Sequence, residues 1–184
     1  MQMQLLLTRD KSREMPPFEN PDAVDGLRIW HCGYQTLAPV DKLRGLRTLV
    51  IATFPDASLD VLEPLSELRH LWIMHLPKVI DLAPLVRLRH LESLALQTLP
   101  SWDASRKLTE VHSLEPIGDL HQLRRVMLVG VVPRDRRLSP LERCAELKSA
   151  RIRERDYPKG EVARLLAAMG VNDDPIDDRQ LPLG

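Results

Sequence analysis

Six histidines and two cysteines are the side chains of this 184-residue chain best suited to ligate a metal or to act as bases and nucleophiles. None of them falls in a spacing that does such chemistry. His70 and His90 each follow an arginine, Arg69 and Arg89, and read as equivalent positions of adjacent repeats. No Cys, Asp or Glu recurs beside them at the spacing a zinc site needs, so an exposed histidine ladder is expected instead. His31, His75, His112 and His121 are scattered outside any Ser/His/Asp or Cys/His signature. A glycine-rich phosphate loop, H-E-x-x-H and C-x-x-C are all missing. The expectation is a protein without enzymatic activity, metal or cofactor, whose function lies in a surface.

The elements that position that surface are set by a repeated apolar frame. Six segments open on Pro17, Pro39, Pro64, Pro84, Pro116 and Pro140, with apolar residues two before each proline and one, four, seven, ten and twelve after it. The cleanest runs are Leu82, Pro84, Leu85, Leu88, Leu91, Leu94, Leu96 and Leu114, Pro116, Ile117, Leu120, Leu123, Val126, Leu128. A third, Leu62, Pro64, Leu65, Leu68, Leu71, Met74, Leu76, fits the same frame. Only Pro21 breaks it. The final spacing of two predicts a short strand with one inward face, and the spacing of three before it predicts a short helical or 3₁₀ segment across the coil. Proline suits the start of that segment because it lacks an N–H and fixes φ. Ser139-Pro140-Leu141-Glu142 also matches a capping box.

Leu-x-x-Leu-x-x-Leu-x-Leu behind x-Pro-Leu resembles the leucine-rich repeat, in the short form of the bacterial internalins and of a eukaryotic phosphatase regulatory subunit. Residues 80–85, Ile-Asp-Leu-Ala-Pro-Leu, match that linker best. The resemblance implies an α/β fold: a right-handed solenoid of about six coils, short parallel strands on the concave side, helical or 3₁₀ segments on the convex side, and a binding role. One position departs from the family. Three residues after the strand, where the family carries Asn, stand Cys32, Phe54, Val79, Leu99, Val131 and Arg155. The turns must then satisfy their backbone groups in another way.

Along the chain this gives an N-terminal cap over 1–14, a solenoid over 15–157 with an insertion near 101–110, a capping helix over 158–171 and a flexible acidic tail over 172–184. Terminal coils need covers. A strand near the start and a helix carrying Val162, Leu165, Leu166 and Met169 on one stripe meet that need. Cys32 and Cys144 belong to the first and sixth coils, roughly 24 Å apart at ~4.8 Å per coil, and cannot pair. Both read as structural thiols.

The concave face should present the residues flanking each inward pair. Its apolar middle is expected to be Val50, Ile73, Ala95, Met127 and Val129. Arg28 and Trp30 stand at one end, Arg125, Arg151 and Arg153 at the other, with His75 in the third coil and Trp102 on the insertion. Aromatic and arginine side chains often anchor interfaces, so the leading expectation is a protein partner held on this face. Trp102 has a second reading, as a lid packed on the solenoid. Two alternatives stand beside protein binding: anion or nucleic-acid binding through the C-terminal arginines, and a structural or self-associating scaffold. Between Arg124 and Arg155 there are ten basic and four acidic residues, which is a local positive field. Over the whole chain 26 basic residues balance 26 acidic ones, and no nucleic-acid motif is present, so nucleic acid is the less expected partner. Asp173, Asp174, Asp177 and Asp178 could also fold over the basic end. The sequence starts with no signal-like or membrane-spanning stretch, for which a cytoplasmic location is the default expectation.

Overall fold

The computed structural model describes residues 3–174 and residue 176. Strands β1 (Met3–Thr8), β2 (Val24–Trp30), β3 (Thr48–Ile51), β4 (His70–Met74) and β5 (Ser93–Gln97) follow one another in a parallel sheet. Two short strands, β6 (Thr109–Val111) and β8 (Val131–Pro133), pair separately, and β7 (Arg125–Val129) and β9 (Ser149–Ile152) complete the main sheet in the order β1-β2-β3-β4-β5-β7-β9. Each strand sends two side chains inward in register. One row is Leu27, Leu49, Leu71, Leu94, Val126 and Ala150; the other is Ile29, Ile51, Ile73, Leu96, Leu128 and Ile152. All belong to one continuous core that runs from Met15 to Leu165. Each such side chain contributes about 1.5–3 kcal/mol by leaving water, offset by the entropy of ordering the chain.

Opposite the sheet, 3₁₀ segments close four of the coils at Ala38–Lys42, Asp60–Leu62, Ala83–Arg87 and Ser139–Arg143, and the helical turn α2 (Glu115–Gly118) closes another. The earlier helix α1 (Pro100–Ala104) belongs to the insertion. Each closing segment begins after a leucine whose backbone sits near the bridge region, such as Leu82 at φ −101°, ψ 3°. In four coils the residue before that leucine fixes the turn with its side chain. Thr36 Oγ1, Ser58 Oγ, Asp81 Oδ1 and Ser113 Oγ accept the N–H of Ala38, Asp60, Ala83 and Glu115 at 2.9–3.2 Å. These are side-chain turns of the kind Ser, Thr and Asp favour. In the last coil Arg137 stands at that position, and Leu138 N–H instead donates to Glu161 Oε1 at 2.9 Å. The capping box expected at Ser139–Glu142 is not formed. Leu138 is the cap residue, and Glu142 accepts Arg164 Nη1 at 2.7 Å.

The third coil differs from the sequence reading. Leu71 and Ile73 are the inward pair of the strand there, not Met74 and Leu76; Met74 faces outward, and Leu76 enters the core from the turn after the strand. The true frame is Leu59, Val61, Leu62, Leu65, Leu68, Leu71, Ile73, so Val61 takes the place of proline and Pro64 lies three residues too late. Leucines spaced by three match themselves after a shift of three, which hides the error. On a strand an odd shift turns every side chain to the other face.

At the turn position where the family carries asparagine, Phe54, Leu76 and Val131 are buried in the core, with Leu76 replacing Val79 once the register is corrected. Apolar packing fills these bends, and their backbone is paired from coil to coil, as in Phe54 N–H to His75 O at 2.9 Å and His75 N–H to Gln97 O at 2.7 Å. Cys32 Sγ lies 3.4 Å from Leu7 O. Cys32 and Cys144 are both free thiols, and burial pushes Cys144 up to about 11.

The ends are covered by β1, whose Met3, Leu5 and Leu7 turn toward the core, and by α3 (Glu161–Met169), which buries Val162 and Leu165. Gly160 and Gly170 flank that helix in left-handed conformations, at φ 85° and 62°. The insertion carries Trp102 on α1 and returns through β6, which pairs with β8.

Candidate recognition face

Side chains on the other side of the sheet also align into rows. The central row reads Leu6, Arg28, Val50, Trp72, Ala95, Met127, Arg151, each paired in register with the next. Beside it Met74, Gln97 and Val129 are in register, and Trp30 pairs with Thr8. Val50, Trp72, Ala95 and Met127 are as buried as the main core, at 0%, 9%, 1% and 6% exposure. They form a second hydrophobic cluster with Ile176, and Trp30, Met74 and Val129 pack on its margin. Trp72 Nε1, the only polar atom of that indole, is buried and has no hydrogen-bond partner among the described residues.

Of the anchors read from the sequence, Arg28, Trp30, Val50, Met127, Val129 and Arg151 are brought together on this face. Arg28 Cζ stacks 4.2 Å from the Trp30 ring, which in turn meets His31 edge-on at 5.3 Å. Ile73 belongs to the interior, fully buried, because of the register shift in its coil. Trp72 and Met74 take the outward positions. His75 has left the strand as well. It occupies the turn after β4 at φ 69° and touches Trp102 edge-on at 4.8 Å, with Lys107 Nζ 5.9 Å from the Trp102 ring. Trp102 therefore folds back onto the turn region, and burial lowers the pKa of His75.

The arginines at the C-terminal end are committed to neighbours. Arg125 Nε donates to Ser93 Oγ at 3.1 Å, and Arg151 Nη1 meets Asp173 Oδ2 at 2.6 Å. Arg153 Nε meets Asp156 Oδ2 at 2.6 Å, and the same carboxylate oxygen accepts the N–H of Gly130 at 3.1 Å. Arg153 is thus part of a turn brace. Arg124, Arg134, Arg136 and Arg143 also face carboxylates, of Glu92, Glu110, Glu115 and Asp119. The positive field read from residue counts is largely neutralised by these pairs.

The tail expected to be flexible begins as an ordered segment. Asn172 bridges Ser149 of β9 in parallel, with Ala150 N–H donating to Asn172 O at 2.9 Å. Ser149 Oγ donates to Asp174 O at 2.8 Å. Residue 175 and residues 177–184, including Asp177 and Asp178, lie outside the described residues.

His70 and His90 are not equivalent. His70 opens β4 opposite Ser93, whereas His90 is in an exposed turn, so no ladder forms. Burial lowers the pKa of His70; Glu92 opposes this, and Arg125 and Arg69 add to it. Among the described residues no group of three His, Cys, Asp or Glu side chains could hold a metal ion, and no helix is long and apolar enough to cross a membrane.

No protein-family model matches the chain, and no curated protein matches it in sequence. Its architecture does have solved counterparts. An internalin (inlF) of Listeria monocytogenes superposes over 93% of this chain with a TM-score of 0.65 at 17% identity. Internalin C2 (inlC2) of the same organism superposes over 89% of it with a TM-score of 0.61, also at 17% identity. The fold is an internalin-like leucine-rich repeat. This leucine-rich-repeat chain spans 46% of the length of the first internalin and 69% of the second.

Proposed function

We propose that this leucine-rich-repeat protein is a non-catalytic interaction module that binds a protein partner on the outer, concave face of its seven-stranded sheet. The observation that carries the reading is the apolar row Val50, Trp72, Ala95 and Met127, aligned across four adjacent strands on a face that the solenoid core does not use. Apolar side chains aligned outside the main core of a fold mark interaction sites, and Trp and Arg are frequent anchors, as in the stack of Arg28 on Trp30 at the margin of this row. Leucine-rich repeats generally serve in protein interaction, which supports the same reading. Binding through phosphate is less favoured, because Arg151 and Arg153 already hold carboxylates.

The experiment is affinity capture with the full chain and with Trp72→Glu/Met127→Glu. The double variant leaves the inward rows intact but puts two carboxylates into the outer cluster, so circular dichroism and a urea midpoint first establish that the sheet persists; in the folded variant capture of the specific partner should fall at least about ten-fold. Capture that resists the double substitution but collapses when salt is raised would instead place the partner on the charged surface.

A further inference from the structure

The second hydrophobic cluster contains one residue that no strand of the sheet supplies. Ile176 is 4% exposed and packs with Val50, Trp72, Ala95 and Met127, although it lies beyond the last helix. Its approach can be followed. Asn172 forms one parallel bridge to Ser149 on the outer edge of β9. Asp173 then holds Arg151 at 2.6 Å, and the Asp174 carbonyl accepts Ser149 Oγ. Ile176, four residues beyond Asn172, then joins the apolar row. Charge meets charge at Arg151, and a branched aliphatic side chain meets the apolar row. The edge pairing supplies main-chain hydrogen bonds, as in peptide recognition by strand addition.

We infer that Asn172, Asp173, Asp174 and Ile176 form an internal ligand of the concave face, and that the partner this face fits presents an extended segment of the same chemistry, a carboxylate followed three residues later by a branched aliphatic side chain. The inference rests on the proposed function and narrows it. An external segment must displace the internal one, so binding of the partner is opposed in cis. Trp72 shares the cluster with Ile176, and its buried indole N–H has no partner among the described residues, so a main-chain carbonyl of the incoming segment would satisfy it.

The test uses the full chain and a fluorescein-labelled peptide with the sequence of residues 170–184. Ile176→Asp and, separately, Asp173→Lys should release the internal segment. A background carrying Trp30→Phe and Trp102→Phe leaves Trp72 as the sole tryptophan, so its acrylamide quenching reads the release directly. The released variants should show stronger quenching and bind the peptide at least roughly ten-fold more tightly than the parent, the gain expected from freeing a site for one buried aliphatic side chain. Peptide carrying Ile→Asp, or protein carrying Ile176→Asp with Met127→Glu, should lose that gain. Unchanged quenching of Trp72 in both released variants would overturn the seating of the segment. Increased quenching without tighter peptide binding would overturn the recognition chemistry, while the proposed partner face would still stand or fall by the capture experiment. Protection of Trp72 that rises with chain concentration would show that a second copy delivers the segment, and would overturn the inference in its cis form.

Discussion

Ile73 and Met74 are adjacent on β4, and the fold assigns them opposite faces, so their truncation to alanine should have sharply different costs. Ile73 is fully exposed to the core and fully hidden from water. Truncation removes three carbons, worth about 0.8 kcal/mol each in transfer, and leaves a cavity that the leucines around it fill only in part. The expected loss is about 3–4 kcal/mol, a substantial share of the roughly 5–15 kcal/mol that holds a domain together. Met74 lies half-buried on the outer face beside the apolar row, where truncation should cost about 1 kcal/mol or less. Urea unfolding of both variants, followed by circular dichroism, reads the difference, and an unchanged slope would show that the same unfolding is being compared. In thermal unfolding, Ile73→Ala should melt about 10 °C below the parent and Met74→Ala within a few degrees of it. A larger loss for Met74→Ala than for Ile73→Ala would restore the frame built on Pro64, and with it a recognition face lacking Trp72.

Gly130 sits at φ 74°, and a Cβ added there would overlap Thr98 Oγ1 and approach Arg153 Nη2 to 2.9 Å, so Gly130→Ala should destabilise by about 2–4 kcal/mol in urea titration. Gly160 is also left-handed, at φ 85°, but has open space around it, and Gly160→Ala should cost only about 1 kcal/mol. The two losses being equal would show that crowding at Gly130 has no energetic weight. His70 and His75 have folded pKa values below the ordinary histidine value because burial disfavours their charged forms. The unfolded chain then binds more protons than the folded one just below that ordinary value, so stability should be complete above about pH 7 and fall as the pH drops toward the folded values. The His70→Gln/His75→Gln variant should show a flatter urea midpoint between pH 7.5 and 5.5, and an equally steep fall would assign the effect to other groups.

Most of the solenoid was legible because its physical cause is periodic. The inward pairs Leu27/Ile29, Leu49/Ile51, Leu94/Leu96, Val126/Leu128 and Ala150/Ile152 stand where the leucine frame places them. The third coil was misread for a reason contained in the same regularity, since a three-residue repeat has no memory of where it began. A local signal did mark the start. Thr36-Leu37, Asp81-Leu82 and Ser113-Leu114 share a small polar residue before the leucine that closes the turn, and Ser58-Leu59 has it too, whereas Val61-Leu62 ahead of Pro64 does not. That misreading displaced Ile73 into the candidate site and left Trp72 out. Arg125, Arg151 and Arg153 were placed at the correct end, but residue counts do not reveal ion pairs, and the pairing with Ser93, Asp173 and Asp156 exists only in three dimensions. The docking of Ile176 had no periodic signature at all. One aliphatic side chain in an acidic segment carries little weight in a pattern, yet it lands on the apolar patch the sheet leaves outside its core.

Photo-crosslinking tests the central claim most directly. A benzophenone side chain at Gln97, in register between Met74 and Val129 on the concave face, is compared with the same group at His90, in the exposed turn that precedes β5. With the captured partner present, covalent adducts should form from position 97 and disappear in the Trp72→Glu/Met127→Glu protein, while position 90 gives none. Adducts confined to position 90 would show that the partner is bound away from the concave face and that the apolar row has another purpose.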